Sequence, residues 1–341
     1  MTELVQILSP TPGGAPTELS VESIDIYLTF RCGMRCSHCF VGENLSSHAD
    51  MPLKSLHQLL RTAHSWRTKQ VTFLGGEPTM HPNFDEALSM AETEGYATRI
   101  VTNGHLSYAR FLRRKSLPGL VVCFSVDGAT AEVHDSIRGR GTYDILLKNI
   151  KASISAGYRI AGIISLSKEN VSQTCDILQL CDDFGFEYVN VHYVTDRGFA
   201  RREIVLSVQE WASAYAEIKS TSKRLKKTEV RVEKTFEDSS AIRFRCAVSE
   251  KKNLMFFPDG RVFMCMMFID TPLAHSYVWD GSELLRNEAL RNEQALVLLG
   301  EGIGCRGIRQ FNPRLADDAR TCGRTVQCIY EKEHLIPGGV E

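Results

Sequence analysis

Short apolar runs rich in Val and Ile recur along the first two hundred residues, at 24–30, 70–74, 98–102, 120–126, 159–166 and 187–193. Runs of this kind are what strands buried on both faces of a parallel sheet present. Helical patterns separate them, at 53–66, 84–94, 106–115, 143–156 and 171–184. In the first of these, Leu56, Leu59, Leu60 and Ala63 share one stripe, the spacing of a buried helix face. Gly95, Gly157 and Gly185 stand where three of the helices should end. Units of β and α alternating at this length predict a parallel sheet with right-handed crossovers. The expected class is α/β, a partial (β/α)6 TIM-like barrel over residues 21–200.

The remainder of the chain breaks this rhythm. Residues 1–20 are polar and rich in Pro and Gly, and read as a loose arm. The arm is too short for a leader-peptide-binding domain, and it lacks the basic and apolar regions of a signal peptide. Residues 201–245 read as a helical linker, with a stripe through Val208, Trp211, Ala212, Tyr215 and Ile218. Its basic run, Lys223, Arg224, Lys226 and Lys227, is read as a solvated helix end, because the whole chain carries a net charge of only −1. That balance excludes a global field for nucleic acid. No apolar run is long enough to cross a bilayer. Eleven cysteines without a secretion signal point to a reducing compartment, the cytoplasm. They read as metal ligands or buried thiols.

Three of the cysteines, Cys32, Cys36 and Cys39, follow the first strand at C-x3-C-x2-C spacing. A loop this short can wrap three thiolates around one centre. A [4Fe–4S] cluster normally takes four thiolates, so one iron is left open to another ligand. A structural zinc site with His38 or His48 as the fourth ligand is the alternative. Polar and glycine-rich residues follow the other strand ends: Gly75, Gly76 and Glu77 after the second, Asn103 after the third, Ser125 and Asp127 at the fourth, His192 and Tyr193 at the sixth. In a parallel barrel that rim carries the active site. The glycines let backbone approach a ligand closely, and the Glu77 carboxylate can hold an ammonium group. Arg138 can pair with a carboxylate. Turn or cap roles are the alternative for Asn103, Ser125, Asp127 and Arg138. His192 either faces substrate or is a satisfied structural histidine. Cys123, Cys175 and Cys181 read as inert buried thiols.

The cysteine loop together with the Gly75-Gly76-Glu77-Pro78 turn resembles the radical S-adenosylmethionine (radical SAM) superfamily. The resemblance implies a [4Fe–4S] cluster on Cys32, Cys36 and Cys39 whose free iron chelates S-adenosylmethionine. It implies that the Gly75-Gly76-Glu77 turn binds the amino group of that cofactor. It places Ser125 and Arg138 at the cofactor and His38 near the adenine; by their own chemistry Ser125 and Asp127 can hydrogen-bond ribose hydroxyls or the carboxylate end of that ligand, and Asn103 is a further candidate. It also implies an external reductant such as flavodoxin or ferredoxin, and abstraction of a substrate hydrogen by a 5′-deoxyadenosyl radical.

Five cysteines follow residue 245: Cys246, Cys265, Cys305, Cys322 and Cys328. Around Pro258, Asp259 and Gly260 the pattern is a hairpin. The C-x13-G-x4-C spacing of Cys246, Gly260 and Cys265 resembles the start of the SPASM/twitch appendage of one radical SAM branch. This implies one auxiliary [4Fe–4S] cluster within residues 246–341, on Cys246, Cys265, Cys305 and Cys328, with Cys322 as a substitute. Structural zinc is the alternative. Met264, Met266 and Met267 read as an apolar shell or as core. For substrate, peptide maturation and small-molecule chemistry on a sugar or nucleoside both remain open, with no nucleic acid and no membrane expected. A non-catalytic metalloprotein is the reading from a different class.

Overall fold

Eight short strands lie side by side and parallel at the centre of the computed structural model. The structure describes residues 20–112, 119–238, 253–269, 277–287, 313–328 and 332–338. In chain order the strands are β1 Ser23–Thr29, β2 Gln70–Gly75, β3 Ala97–Thr102, β4 Val121–Ser125, β5 Arg159–Leu166, β6 Tyr188–Tyr193 and β7 Glu229–Glu233. Then come β8 Phe236–Asp238, β9 Asn253–Phe256, β10 Arg261–Phe263, β11 Tyr277–Trp279, β12 Leu284–Arg286, β13 Arg324–Val326 and β14 Lys332–Leu335. The helices are α1 Leu53–Ser65, α2 Phe84–Thr93, α3 Tyr108–Phe111, α4 Ala131–Arg138, α5 Thr142–Ser155, α6 Thr174–Phe184, α7 Val208–Ser222 and α8 Pro313–Thr321.

The large sheet runs β12-β11-β10-β9-β1-β2-β3-β4-β5-β6-β7-β14. Its centre, β9 to β7, is parallel, and the outer strands are antiparallel. The sheet is not closed. It is the mixed α/β, mostly parallel architecture of a partial barrel, with the six expected strands in order. Two features extend it. The segment read as a linker contributes α7, capped by Ser207 and Glu210 in a reciprocal capping box, and then β7, a further parallel strand paired with β6. The hairpin β9–β10 is not free-standing, because β9 adds to the open edge of β1 with Ile24 opposite Leu254 and Ile26 opposite Phe256.

Alternation along the strands sorts their side chains. Ile24, Phe73, Ile100, Phe124, Val191 and Val232 are buried against the helices. Val121, Cys123, Ala161 and Tyr188 form a separate small cluster on the opposite, concave face. A third cluster joins Tyr27, Phe30, Val41 and Leu45 to Met255, Phe257, Phe263, Met266 and Ile269 of the hairpin region. Cys32 and Cys39 pack against this third cluster, so the hairpin walls one side of the cysteine loop. Phe257 is its hinge, with ring centroids 4.5 Å from Tyr27, 5.3 Å from Phe30 and 4.8 Å from Phe263.

Candidate active site

The ends of β1 and β2 are locked backbone to backbone. Gly76 N–H donates to Thr29 O at 2.8 Å, and Glu77 N–H to Arg31 O at 2.8 Å. A Cβ on Gly75 would lie 2.3 Å from Thr29 O, and one on Gly76 would lie 2.5 Å from Arg31 O. The two glycines therefore allow a close approach, and what approaches is the root of the cysteine loop itself.

Cys32, Cys36 and Cys39 are free, partly exposed thiols on that loop. Cys39 N–H donates to Cys36 O at 3.1 Å, and Phe199 N–H to Cys39 O at 2.8 Å. Ser37, between Cys36 and Cys39, donates from its hydroxyl to Glu169 Oε2 at 2.6 Å and from its N–H to Ile137 O at 3.1 Å. Nitrogen donors surround the sulfurs: Met34 N–H is 3.4 Å from Cys32 Sγ, Asn103 Nδ2 is 3.9 Å from the same atom, and Arg138 Nη1 is 3.9 Å from Cys36 Sγ. Burial pushes the Cys32 thiol up to about 12, against the pull of the Met34 N–H. Burial also raises Cys36, and Arg138 opposes it. Three thiols on one short loop, with N–H groups at their sulfurs, are a donor set that fits an iron–sulfur cluster. His38 Nε2 faces Asp127 Oδ2 at 3.4 Å. Among the described residues no three His, Cys, Asp or Glu side chains gather around a single ion position.

Glu77 is buried, and both of its carboxylate oxygens are held. Oε1 accepts from Thr79 Oγ1 at 2.6 Å and Thr102 Oγ1 at 2.8 Å, and Oε2 accepts from Asn103 N–H at 2.8 Å. Burial pushes its pKa upward, against these hydrogen bonds. No cation lies within ion-pair distance of it among the described residues. Asn103 thus links Glu77 to Cys32, and its own Oδ1 accepts from His105 N–H at 2.9 Å.

Across the loop, Asp127 is the hub. Its Oδ2 accepts from Arg138 Nε and Nη2, each at 2.6 Å, and its Oδ1 accepts from Ser165 N–H at 2.8 Å. Burial alone would raise its pKa; Arg138, then His38, hold it below the usual carboxylate range. Asp127 is wholly buried. It is engaged by Arg138, His38 and the Ser165 N–H. Arg138 likewise gives two nitrogens to Asp127 and turns only Nη1 toward Cys36. Ser125, at the tip of β4, is buried, and its hydroxyl has no hydrogen-bond partner among the described residues.

His134 is fully buried beneath this hub, its Nδ1 accepting from Asp127 N–H at 3.3 Å. Burial, then Arg138, depress its pKa to about 4. An unfolded histidine titrates near 6.5, so neutral His134 contributes stability that is complete above about pH 6.5 and is lost as pH falls toward 4. The loss is on the order of 3 kcal/mol. His38, also lowered by burial, adds in the same direction, while the raised Glu77 opposes it. Urea unfolding midpoints measured from pH 7.5 to 4.5 should fall, and His134→Gln should flatten that slope. A midpoint independent of pH would contradict this.

His192, at the rim of β6, is held by a residue the sequence did not point to. Its Nδ1 meets Glu233 Oε1 at 2.5 Å, and Tyr193 N–H donates to Glu233 Oε2 at 2.9 Å. Glu233 ends β7, the strand that was read as linker. Glu169 was missed in the same way, since only its distance to Ser37 in space reveals it. Tyr193 turns into the helical core, its hydroxyl on Leu206 O at 2.6 Å.

Of the C-terminal cysteines, Cys246 and Cys305 lie outside the described residues. Cys265 follows β10 on the β1 side of the sheet. Cys322 follows α8, with Gln209 Nε2 at 2.8 Å from its sulfur, and buried Cys328 follows β13, which pairs with β8. Met266 belongs to the apolar wall of the first cysteine loop, whereas Met267 is in the main core.

Residues 26–181 match the Radical SAM superfamily. The chain is 30% identical over 162 residues to the mycofactocin maturase MftC of Mycobacterium tuberculosis, covering 46% of this chain and 41% of that protein. It is 30% identical over 187 residues to the antilisterial bacteriocin subtilosin biosynthesis protein AlbA of Bacillus subtilis, covering 51% of this chain and 40% of that protein. The chain thus spans less than half the length of these relatives. Streptococcus suis SuiB shares its fold with a TM-score of 0.65 at 16% identity, over 82% of this chain and 66% of that one. SuiB has also been solved with its precursor peptide SuiA and with S-adenosylmethionine. No helix among the described residues is long and apolar enough to cross a membrane. The cysteine loop, the Gly75-Gly76-Glu77 turn and the first strands of the partial barrel thus lie within the stretch, residues 26–181, that matches the radical SAM domain.

Proposed function

We propose that the protein is a radical SAM enzyme that modifies a peptide. One observation carries the reading: three thiols on one loop are tied on one side to a buried Glu77 through Asn103, and on the other to the Asp127–Arg138 pair. A [4Fe–4S] cluster on Cys32, Cys36 and Cys39, with S-adenosylmethionine, supplies the one-electron chemistry that yields a 5′-deoxyadenosyl radical. This chain's own residues do the rest. Glu77, a buried carboxylate without a cation, suits an ammonium group. Gly75 and Gly76 hold its turn against the loop. Asn103 and Arg138 donate to ligand sulfurs, Ser125 keeps a free hydroxyl at the rim, and His38 lines the loop from within. The apolar wall around Phe257 limits water at the loop.

Peptide is favoured as substrate because relatives that match the barrel are maturases and a biosynthesis protein of a bacteriocin, and because SuiB binds a precursor peptide. Residues 21–200 are assigned to the core and residues 246–341 to an auxiliary [4Fe–4S] centre on Cys246, Cys265, Cys305 and Cys328, with Cys322 as substitute. Flavodoxin or ferredoxin is the assigned reductant, and the cytoplasm the assigned compartment. The test is anaerobic reconstitution with iron and sulfide. About eight irons per chain are expected, two four-iron cubanes, falling by half when Cys32, Cys36 and Cys39 are replaced by Ala. Zinc retained in place of iron, or iron unaffected by that triple change, would overturn the assignment.

A further inference from the structure

The concave face of the sheet carries cations that the cysteine site does not use. Ile100, Val189, Val191, Val230 and Val232 pack on the helix side, so alternation puts Arg99, Tyr188, Asn190 and Arg231 on the concave side. Lys332 of β14 joins them, its Nζ on Asn190 Oδ1 at 3.2 Å. The Arg231 guanidinium lies 3.8 Å from the Tyr188 ring centroid, and that of Arg99 lies 5.4 Å from it. Two guanidiniums thus share one phenol.

Their donors are under-used. Arg231 reaches Glu229 at 2.7 Å through Nη2, but its Nε is buried without a partner. Arg99 has no hydrogen bond or ion pair, and Lys332 no carboxylate within 4.0 Å, among the described residues. Asp25, the nearby carboxylate, accepts from Asn253 Nδ2 at 2.7 Å and acts on Arg99 and Lys332 only through space. Glu233 is taken by His192. Burial accordingly presses Lys332 below its ordinary value, more than Glu233 restores it. The buried Nε of Arg231, left unsatisfied, costs about 1–3 kcal/mol, and a group left so in a native protein calls for a partner. The cations are partly exposed, whereas Cys123 and Tyr188 beneath them are 2% and 4% exposed. The face is therefore an open floor. Cys123 sits two residues below Ser125 on the same strand, about 7 Å from the rim.

We infer that Arg99, Arg231 and Lys332 form a carboxylate-binding floor inside the barrel, which receives an acidic group of the substrate. The inference rests on the proposed function and narrows its substrate. The carboxylate belongs either to an acidic side chain of a peptide or to a free small acid.

The test is ligand-observed NMR on the reconstituted full chain without reductant, with three probes: N-acetyl-glutamate N-methylamide, its glutamine counterpart, and glutarate. The acid probe should bind at least about tenfold more tightly than the amide, and Arg99→Gln and Lys332→Met should each erase most of that preference. Lys332→Arg should keep it. Binding of the blocked glutamate but not glutarate assigns a peptide side chain, and the reverse assigns a free acid. Equal binding of acid and amide by the wild type, or a preference untouched in the variants, overturns the floor. If Lys332→Met does not fold, Arg99→Gln, on a partly exposed position, decides. Because no reductant is present, this outcome is independent of S-adenosylmethionine cleavage. Cleavage without acid preference strikes the floor alone, and acid preference without cleavage strikes the proposed function alone.

Discussion

Replacing Asp127 with Ala should destabilise the protein by on the order of 3–5 kcal/mol. The carboxylate is wholly buried, and it holds two nitrogens of a buried guanidinium, the His38 ring and the N–H of Ser165. Removing it leaves the Arg138 charge uncompensated in the interior. The cost is the stranded cation more than the lost attraction, so Asp127→Ala combined with Arg138→Met should recover much of the loss. Urea unfolding of the two variants against the wild type gives the answer. A single variant within about 1 kcal/mol of the wild type, the range of an exposed pair, would mean that the pair does not hold this rim.

Gly76→Ala should produce the second large effect, and it should act on the cysteine loop. The added methyl would lie 2.5 Å from Arg31 O and 2.8 Å from both Arg31 C and Phe30 O. All three are backbone atoms, so relief requires moving the root of the loop. Overpacking of this kind costs about 1–3 kcal/mol and at times more. The displaced loop should also hold less iron after reconstitution. Gly33 offers the control on the same loop, because a Cβ there meets nothing within 4 Å. Gly33→Ala should load iron as the wild type does. Equal iron in Gly76→Ala and Gly33→Ala would remove the close-approach role from Gly76.

What the chain discloses in advance follows the range of the interactions. The six strands and the residues at their ends are local patterns, and they stand where the apolar runs put them. The Cys32, Cys36, Cys39 spacing and the Gly75-Gly76-Glu77 turn are local too. Asp127 was visible, but its partner Arg138 lies eleven residues on, and nothing in the spacing says that the two pair with each other. Glu233 and His192 are 41 residues apart. Asn253 and Asp25, which tie the hairpin strand to β1, are 228 apart. Pairing at such separations is set by packing of the whole sheet, and no local period reports it. The β7 strand was hidden for a related reason. Glu229-Val230-Arg231-Val232-Glu233 alternates because its concave face carries ions, unlike the continuous apolar strands of a parallel sheet buried on both faces.

The central claim is tested most directly by incubating anaerobically reconstituted protein with dithionite and S-adenosylmethionine and quantifying 5′-deoxyadenosine by chromatography. The account predicts that the wild-type chain forms it and that replacing Cys32, Cys36 and Cys39 with Ala abolishes it. A fully iron-loaded wild-type chain that forms none would contradict the account and leave a metalloprotein whose cysteine loop serves structure alone.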